Sequence, residues 1–519
     1  FAAVSPATLE LAPSTAAFLP WARLALAAIL IVPALGVVVV AHTVLTQKIS
    51  PAELVRLALE RGNIDWPWLN EALAAAPLPS LPKLEQWPMH GVSAQPLRRQ
   101  TYDAQGHPQP SAVDTFATSF ETKKPRIVST VAELTTALAQ AQAGEQILML
   151  PGVYRVNGHN LQLGHDGRAD APIVLRADQP ATVHLEFNLL EGFLVNRAYW
   201  VFENLEIRGV CADHSDCEHA FHIVGNANST VVRNNRIIDF NAPFKINGTP
   251  NANGMTTPDN GLIERNTIFN TTPRQTGNPV TFIDLVTADG WAVRSNIIAD
   301  FAKAGGDHIS YGAFMKATSR NGLFERNLVI CYLNQVPTGG LRIALSFGGG
   351  GSGGGFCRDQ TCETEHVGGV MRNNVIVHCP DDVGIYLNRS ADTLLDGNLL
   401  IGTRGIDVRF PTSTARLVNN IFDGAVHERD GGRTTLDNNL ISKTCVLGDC
   451  AVADWFADPT AGDLRLKNID AIIRSGRLME RDTLDFCGNQ RGNPPDLGPI
   501  EFSAGANCLP TFNSTTASP

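Results

Sequence analysis

Between residues 200 and 442 the chain repeats one short pattern, in which apolar residues flank a polar step that holds an asparagine. The segments read W-V-F-E-N-L-E-I (200–207), V-V-R-N-N-R-I-I (231–238), L-I-E-R-N-T-I-F (262–269), A-V-R-S-N-I-I-A (292–299), L-F-E-R-N-L-V-I (323–330), V-M-R-N-N-V-I-V (370–377), L-L-D-G-N-L-L-I (394–401), R-L-V-N-N-I-F-D (416–423) and T-L-D-N-N-L-I-S (435–442). Their shared asparagines are Asn204, Asn235, Asn266, Asn296, Asn327, Asn374, Asn398, Asn420 and Asn439, spaced 31, 31, 30, 31, 47, 24, 22 and 19 residues apart. Runs this short, rich in β-branched and aliphatic residues, predict strands rather than helices.

A unit of this kind cannot bury its apolar face alone, so it must stack on copies of itself. The pattern therefore predicts an all-β solenoid, a right-handed parallel β-helix. At about 4.8 Å per coil, nine coils make a rod roughly 43 Å long. Asparagine tolerates left-handed backbone, bonds nearby backbone groups and stacks into ladders, so these nine residues read as turn-forming structure rather than a site.

Outside the repeat the pattern changes. Leu24 to Ala41 carries no charge over 18 residues, enough for a helix of about 27 Å, and predicts a transmembrane anchor within segment 1–48. Helices are expected at 50–62, where Ser50 and Glu53 form a capping box, and at 66–76. They open an arm, 49–125, that becomes rich in Pro, Gln and Ser after residue 77. The β-helix is expected over 126–443. Thr130 and Glu133 open a helix that runs to Gly144 and covers the free edge of the first coil. Segment 444–519 reads as a C-terminal cap and tail.

The chain has 519 residues and a net charge of −10, which argues against nucleic acid as a partner. Ten cysteines fall partly in close pairs, Cys211/Cys217, Cys357/Cys362 and Cys445/Cys450, as in proteins of an oxidising compartment. Cys331 and Cys379 are either a pair across coils or free thiols, and Cys487 with Cys508 would clip the tail over the last coil. Five glycosylation sequons, at Asn228, Asn247, Asn270, Asn388 and Asn513, are expected by chance in so asparagine-rich a chain.

The stretch A-G-E-Q-I-L-M-L-P-G-V-Y, then A-P-I-V-L-R-A and Y-W-V-F-E-N-L-E-I-R-G, with D-F-C-G-N-Q-R-G-N-P-P-D-L-G-P-I-E at 485–501, resembles the chondroitinase-B-like and alginate-lyase-like β-helix proteins over residues 126–501. The resemblance implies β-elimination on a uronic-acid polysaccharide, with a lysine base, a nearby arginine and a calcium ion that neutralises the uronate. Such a cation stabilises the enolate formed when a base removes the poorly acidic proton beside a carboxylate. Two places carry the pattern: Arg389 with Arg409, and Lys316 with Arg342. Arginine stays protonated and is a poor base, whereas Lys316 has the right type. The family's calcium-binding glutamates have no clear match. Asp382 before Arg389 and Asp307 before Lys316 are the nearest acidic candidates.

Other features carry plainer readings. Asp213, His214, Asp216, Glu218, His219 and His222 crowd the Cys211–Cys217 loop, which reads as solvated and disulfide-closed rather than metal-binding. The glycine run between Phe347 and Phe356 reads as a flexible insertion beside a groove, and Lys245 as a solvated lysine. Arg389, Arg404, Arg409 and Arg416 form a basic strip or scattered surface charge. The anchor, the arm and the missing acidic pair favour a membrane-anchored extracytoplasmic subunit, periplasmic or extracellular, that binds carbohydrate or serves a membrane complex. The alternative is a polysaccharide lyase acting on uronic-acid glycans.

Overall fold

The structure is a computed structural model that describes residues 124–252, 254–335, 339–441 and most of 455–502, with two short strands at Gln100–Tyr102 and Pro108–Pro110. The expected anchor at 24–41 and the helices at 50–62 and 66–76 lie outside the described residues. Among the described residues no helix is long and apolar enough to cross a membrane.

Three long sheets wind about one core, which makes the chain a parallel β-helix. The first has 12 strands, from Arg126–Val128 to Arg433–Asp437. The second has 11, from Gly152–Asn157 to Leu440–Ile441, and the third has 10, from Leu161–Gln162 to Ala425–Arg429. Each strand pairs in parallel with its counterpart one coil on, as in Val231↔Leu262, Ile237↔Ile268 and Ile246↔Leu285. Inward-pointing side chains stack coil upon coil; Phe193, Phe221 and Phe244 lie face to face with centroids 5.2 and 5.5 Å apart. Helix α1 (Val131–Gln140) has the expected capping box and buries Leu134, Ala137 and Leu138 against the first coil. It ends before Gly144, because Ala141 turns to extended backbone.

The asparagines form a buried ladder. Each Nδ2 donates to the Oδ1 one coil on: Asn235 to Asn266 at 3.1 Å, then onward through Asn296, Asn327, Asn374, Asn398 and Asn420 to Asn439 at 2.9–3.1 Å. Asn204 does not belong to it. The register sets Val201 on Val231, so Asn204 aligns with Asn234, and Leu205 is what meets the ladder. The spacing of 47 is the glycine-containing insertion, and the ladder continues across it unbroken.

Disulfides join Cys211–Cys217, Cys331–Cys379 and Cys357–Cys362, and Cys487 is also disulfide-bonded. Such bonds place the domain outside the cytoplasm, in the periplasm or the extracellular space. Cys445, Cys450 and Cys508 lie outside the described residues. The described tail lies along the outer face of the second sheet, where Ile472, Phe486 and Leu497 cover Leu328, Val375 and Leu399. Asn373 donates to the carbonyl of Leu484 and Asn419 to that of Arg477, at 2.9 and 2.8 Å.

Candidate active site on the third sheet

Strand alternation decides what the third sheet shows to solvent. In Ile385–Asn388, Ile385 and Leu387 enter the core while Tyr386 and Asn388 face outward; in Gly405–Arg409, Ile406 and Val408 go in while Asp407 and Arg409 go out. Parallel pairing stacks these positions. One outward row runs His222, Lys245, Asp284, Phe314, and on to Tyr386, Asp407 and His427. The next runs Val286, Lys316 and, across Gly348, Asn388, Arg409 and Arg429.

The later coils of this face enclose a pocket of about 670 Å³. Its apolar floor includes Ile309, Leu341, Ile343 and Val383; its polar groups include Tyr311, Tyr386, Asp382, Arg404, Asp407, Arg409, His427 and Arg429. The size and the mixture suit a small-molecule or oligomer site. The hydroxyl oxygen of Tyr386 accepts from Asn388 Nδ2 at 3.0 Å and faces Arg409 Nη1 at 3.5 Å. Arg409 is oriented by Asp430, 2.5 Å from its Nε, and its guanidinium lies over the ring of Phe410. Arg404 lines the pocket with its Nε buried and unpartnered. Burial pushes Asp407 toward the neutral form, but hydrogen bonds from His427 and Arg429 outweigh it and hold the carboxyl below its usual range. Burial pushes the phenol of Tyr311 up.

The sequence candidates separate. Arg409 and Asp382 line the pocket. Arg389 follows strand Ile385–Asn388, and its guanidinium also lies near the Phe410 ring, 5.1 Å from the centroid. Lys316 shares the face but lies outside the pocket lining. Its Nζ is 3.4 Å from the Gly350 carbonyl and 4.4 Å from the Phe314 ring centroid, and it makes no ion pair among the described residues. Burial lowers its pKa, against the pull of Asp284 and Glu365. Arg342 is fully buried, ion-paired with an equally buried Asp381 at 3.3 Å. It holds the coil together from inside rather than facing the groove.

Lys245 is not a solvated lysine: it pairs with Asp284 at 2.7 Å. Arg416 leaves the basic strip, because it lies on the first sheet beside Asp437. The Cys211–Cys217 loop disperses its ligand-type residues. His214 accepts from the Gln275 amide, His219 meets the Ala242 carbonyl, and His222 sits 2.8 Å from Glu191.

The residues present do not fit a calcium ion. Asp307 is held by Lys303 Nζ at 2.7 Å and the Ile309 amide, and Asp382 caps the Val383 amide at 2.8 Å. No three acidic, histidine or cysteine side chains converge among the described residues. The pocket sets Arg404, Arg409 and Arg429 among Asp382, Asp407 and Glu428. Tyr386, Asp407, His427 and Arg429 are the site residues that the motif reading missed. Their signal was the alternation of apolar and polar positions in strands 385–388, 405–409 and 425–429.

The fold is shared with polysaccharide lyases. Pectate lyase Pel9A superposes with a TM-score of 0.50 at 14% identity, covering 74% of this chain and 98% of that one. An alginate lyase from Paenibacillus sp. gives a TM-score of 0.40 at 12% identity, covering 61% of this chain and 94% of the other. A PL6 family polysaccharide lyase from Pseudopedobacter saltans gives 0.34 at 15% identity, covering 67% and 97%. No family model matches the sequence, and no curated protein matches it. At such identities the likeness is one of fold.

Proposed function

We propose that the chain is a polysaccharide lyase that cleaves uronic-acid-containing glycans in the pocket of the third sheet. The observation that carries this is the Tyr386 hydroxyl within reach of Asn388 and Arg409, in a pocket that also holds Arg404, which makes no ion pair among the described residues. β-Elimination needs a cation on the uronate carboxylate and a group that moves a proton from the carbon beside it to the departing glycosidic oxygen. Arg409 and Arg404 take the carboxylate. Arginine keeps its proton, so Tyr386 serves as the acid–base group. Lys316, outside the pocket, binds further along the chain. The lyase fold of the comparison structures agrees with this reading at the level of architecture.

The expected result with polygalacturonate, alginate or chondroitin is a rise in unsaturated-uronate absorbance. Tyr386→Phe should lower kcat/KM by about 10²–10⁴, the usual worth of a general acid–base group. Full activity in Tyr386→Phe, or none in the wild type on any uronate glycan, sinks the proposal. The reading as an accessory membrane subunit rests on the anchor at 24–41, outside the described residues, together with the arm and the missing acidic pair. Glycan binding without cleavage would favour it.

A further inference from the structure

The insertion after strand Leu341–Gly348 is not the flexible loop that its glycines suggest. Beyond Gly348 it makes a short turn at Gly354–Phe356 and is then closed by the Cys357–Cys362 disulfide. That disulfide packs on Val286, Phe314 and Ala317, at the outer face of the third sheet. Arg358 ties it down through Asp259 at 3.0 Å and Asp289 at 3.1 Å, and Asp359 accepts from the Thr318 hydroxyl at 2.9 Å. Clamped this way, the loop holds up Phe356, which is 68% exposed.

Phe356 is thus a large aromatic ring offered to solvent from a disulfide-closed, ion-paired support. Its position is set relative to Lys316. Thr287 bonds the Phe356 carbonyl through its hydroxyl, and its amide donates to the Lys316 carbonyl at 3.0 Å. The lysine stem passes over Gly349, where a Cβ would stand 3.4 Å from Lys316 Cδ. So an exposed ring and an ammonium without an ion pair among the described residues are both tied to Thr287 on the outer face of the third sheet.

We infer that Phe356 and Lys316 form a second carbohydrate subsite, in which a pyranose ring stacks on Phe356 while its carboxylate meets Lys316. This rests on the lyase reading for the direction of the glycan, and it makes the protein selective for longer acidic chains over short ones. Aromatic faces bind the apolar side of a sugar ring while leaving its hydroxyls wet. The carboxylate is taken by a lysine that makes no ion pair among the described residues.

The test is the affinity of the wild-type protein for oligogalacturonates and oligoalginates of increasing length. Wild type should gain about tenfold in Kd as the chain grows long enough to leave the pocket. Phe356→Ala and Lys316→Gln should each remove that gain, and Phe356→Trp should retain it. Equal affinities for Phe356→Ala and wild type on the long chains, or no gain with length in the wild type, would overturn the subsite. Length-dependent binding without unsaturated products would instead sink the lyase reading and leave the subsite standing. Cleavage that is indifferent to Phe356 does the reverse.

Discussion

The residue that bends each coil is the one before the ladder asparagine. Asn234, Arg265, Ser295, Arg326, Asn373, Gly397, Asn419 and Asn438 all have φ between 53° and 63°, in the left-handed region, as does Asn204 at 65°. The ladder asparagines serve a different need: they saturate buried amides. Asn327 donates to the Val293 carbonyl and to Asn374, and its Oδ1 receives both the amide and the Nδ2 of Asn296. Asn327→Ala would strand several buried groups at once, so it should cost about 2–4 kcal/mol and lower Tm, read by thermal unfolding. Doublets such as Asn234–Asn235 and Asn419–Asn420 put an asparagine at both positions, which is why the sequence hid the difference and Asn204 slipped by one. Arg342 is the other residue whose place the sequence could not show. Arg342→Met leaves Asp381 charged and buried, so it should cost about 3–5 kcal/mol. Adding Asp381→Asn should recover a good part of that, in chemical denaturation, which would mark the arginine as structural.

At the level of the strand, the first sheet carries a register device. Paired positions along it read Glu203, Arg233, Glu264, Arg294, Glu325, Arg372 and Asp396, alternating in sign from coil to coil. Arg233 meets Glu203 at 2.7 Å, Arg294 meets Glu264 at 2.9 Å and Arg372 meets Glu325 at 2.6 Å. A strand slipped by one coil would set like charges side by side, so the alternation fixes the stacking order as well as adding attraction. It stands in the repeat itself, two residues before each ladder asparagine from Asn235 to Asn398. The apolar period drew notice away from it. Glu325 shows its weight: burial raises its pKa, but Arg326, Arg372 and Arg294 outweigh that and hold it at about 2, from 4.5. A depressed carboxylate stabilises the fold fully above 4.5 and loses that contribution as pH falls toward 2. Glu325→Gln should therefore lower stability at neutral pH, on the order of 3 kcal/mol, and flatten its decline through that acid window. A pH series of denaturant midpoints reads both effects.

Over the whole molecule, architecture was legible and the site was not, for one physical reason. A repeat states the same local rule many times, so the coils, the α1 cap and their order could be read from the chain. The pocket takes Tyr311, Tyr386, Asp407 and His427 from four separate coils, and only their stacking brings them together. The tail escaped for a similar cause: Phe486 and Leu497 return to sheet positions far back in sequence, under no repeating rule. Phe486→Ala should cost about 3–5 kcal/mol if that return packs as a true core, measured as a loss of Tm with the coils' far-ultraviolet signal kept until the transition.

The insertion has a consequence beyond its own coil. From Leu323 to its partner Val370 the chain takes 47 residues where other coils take 19 to 31, yet the ladder beneath passes from Asn327 to Asn374 at an unchanged 3.0 Å. Load and length are therefore uncoupled at the corner between the third and first sheets. That corner is an open socket. Loops of other size can close that corner over the same ladder, and on the proposed lyase reading that would let substrate range change separately from the stacking of the coils.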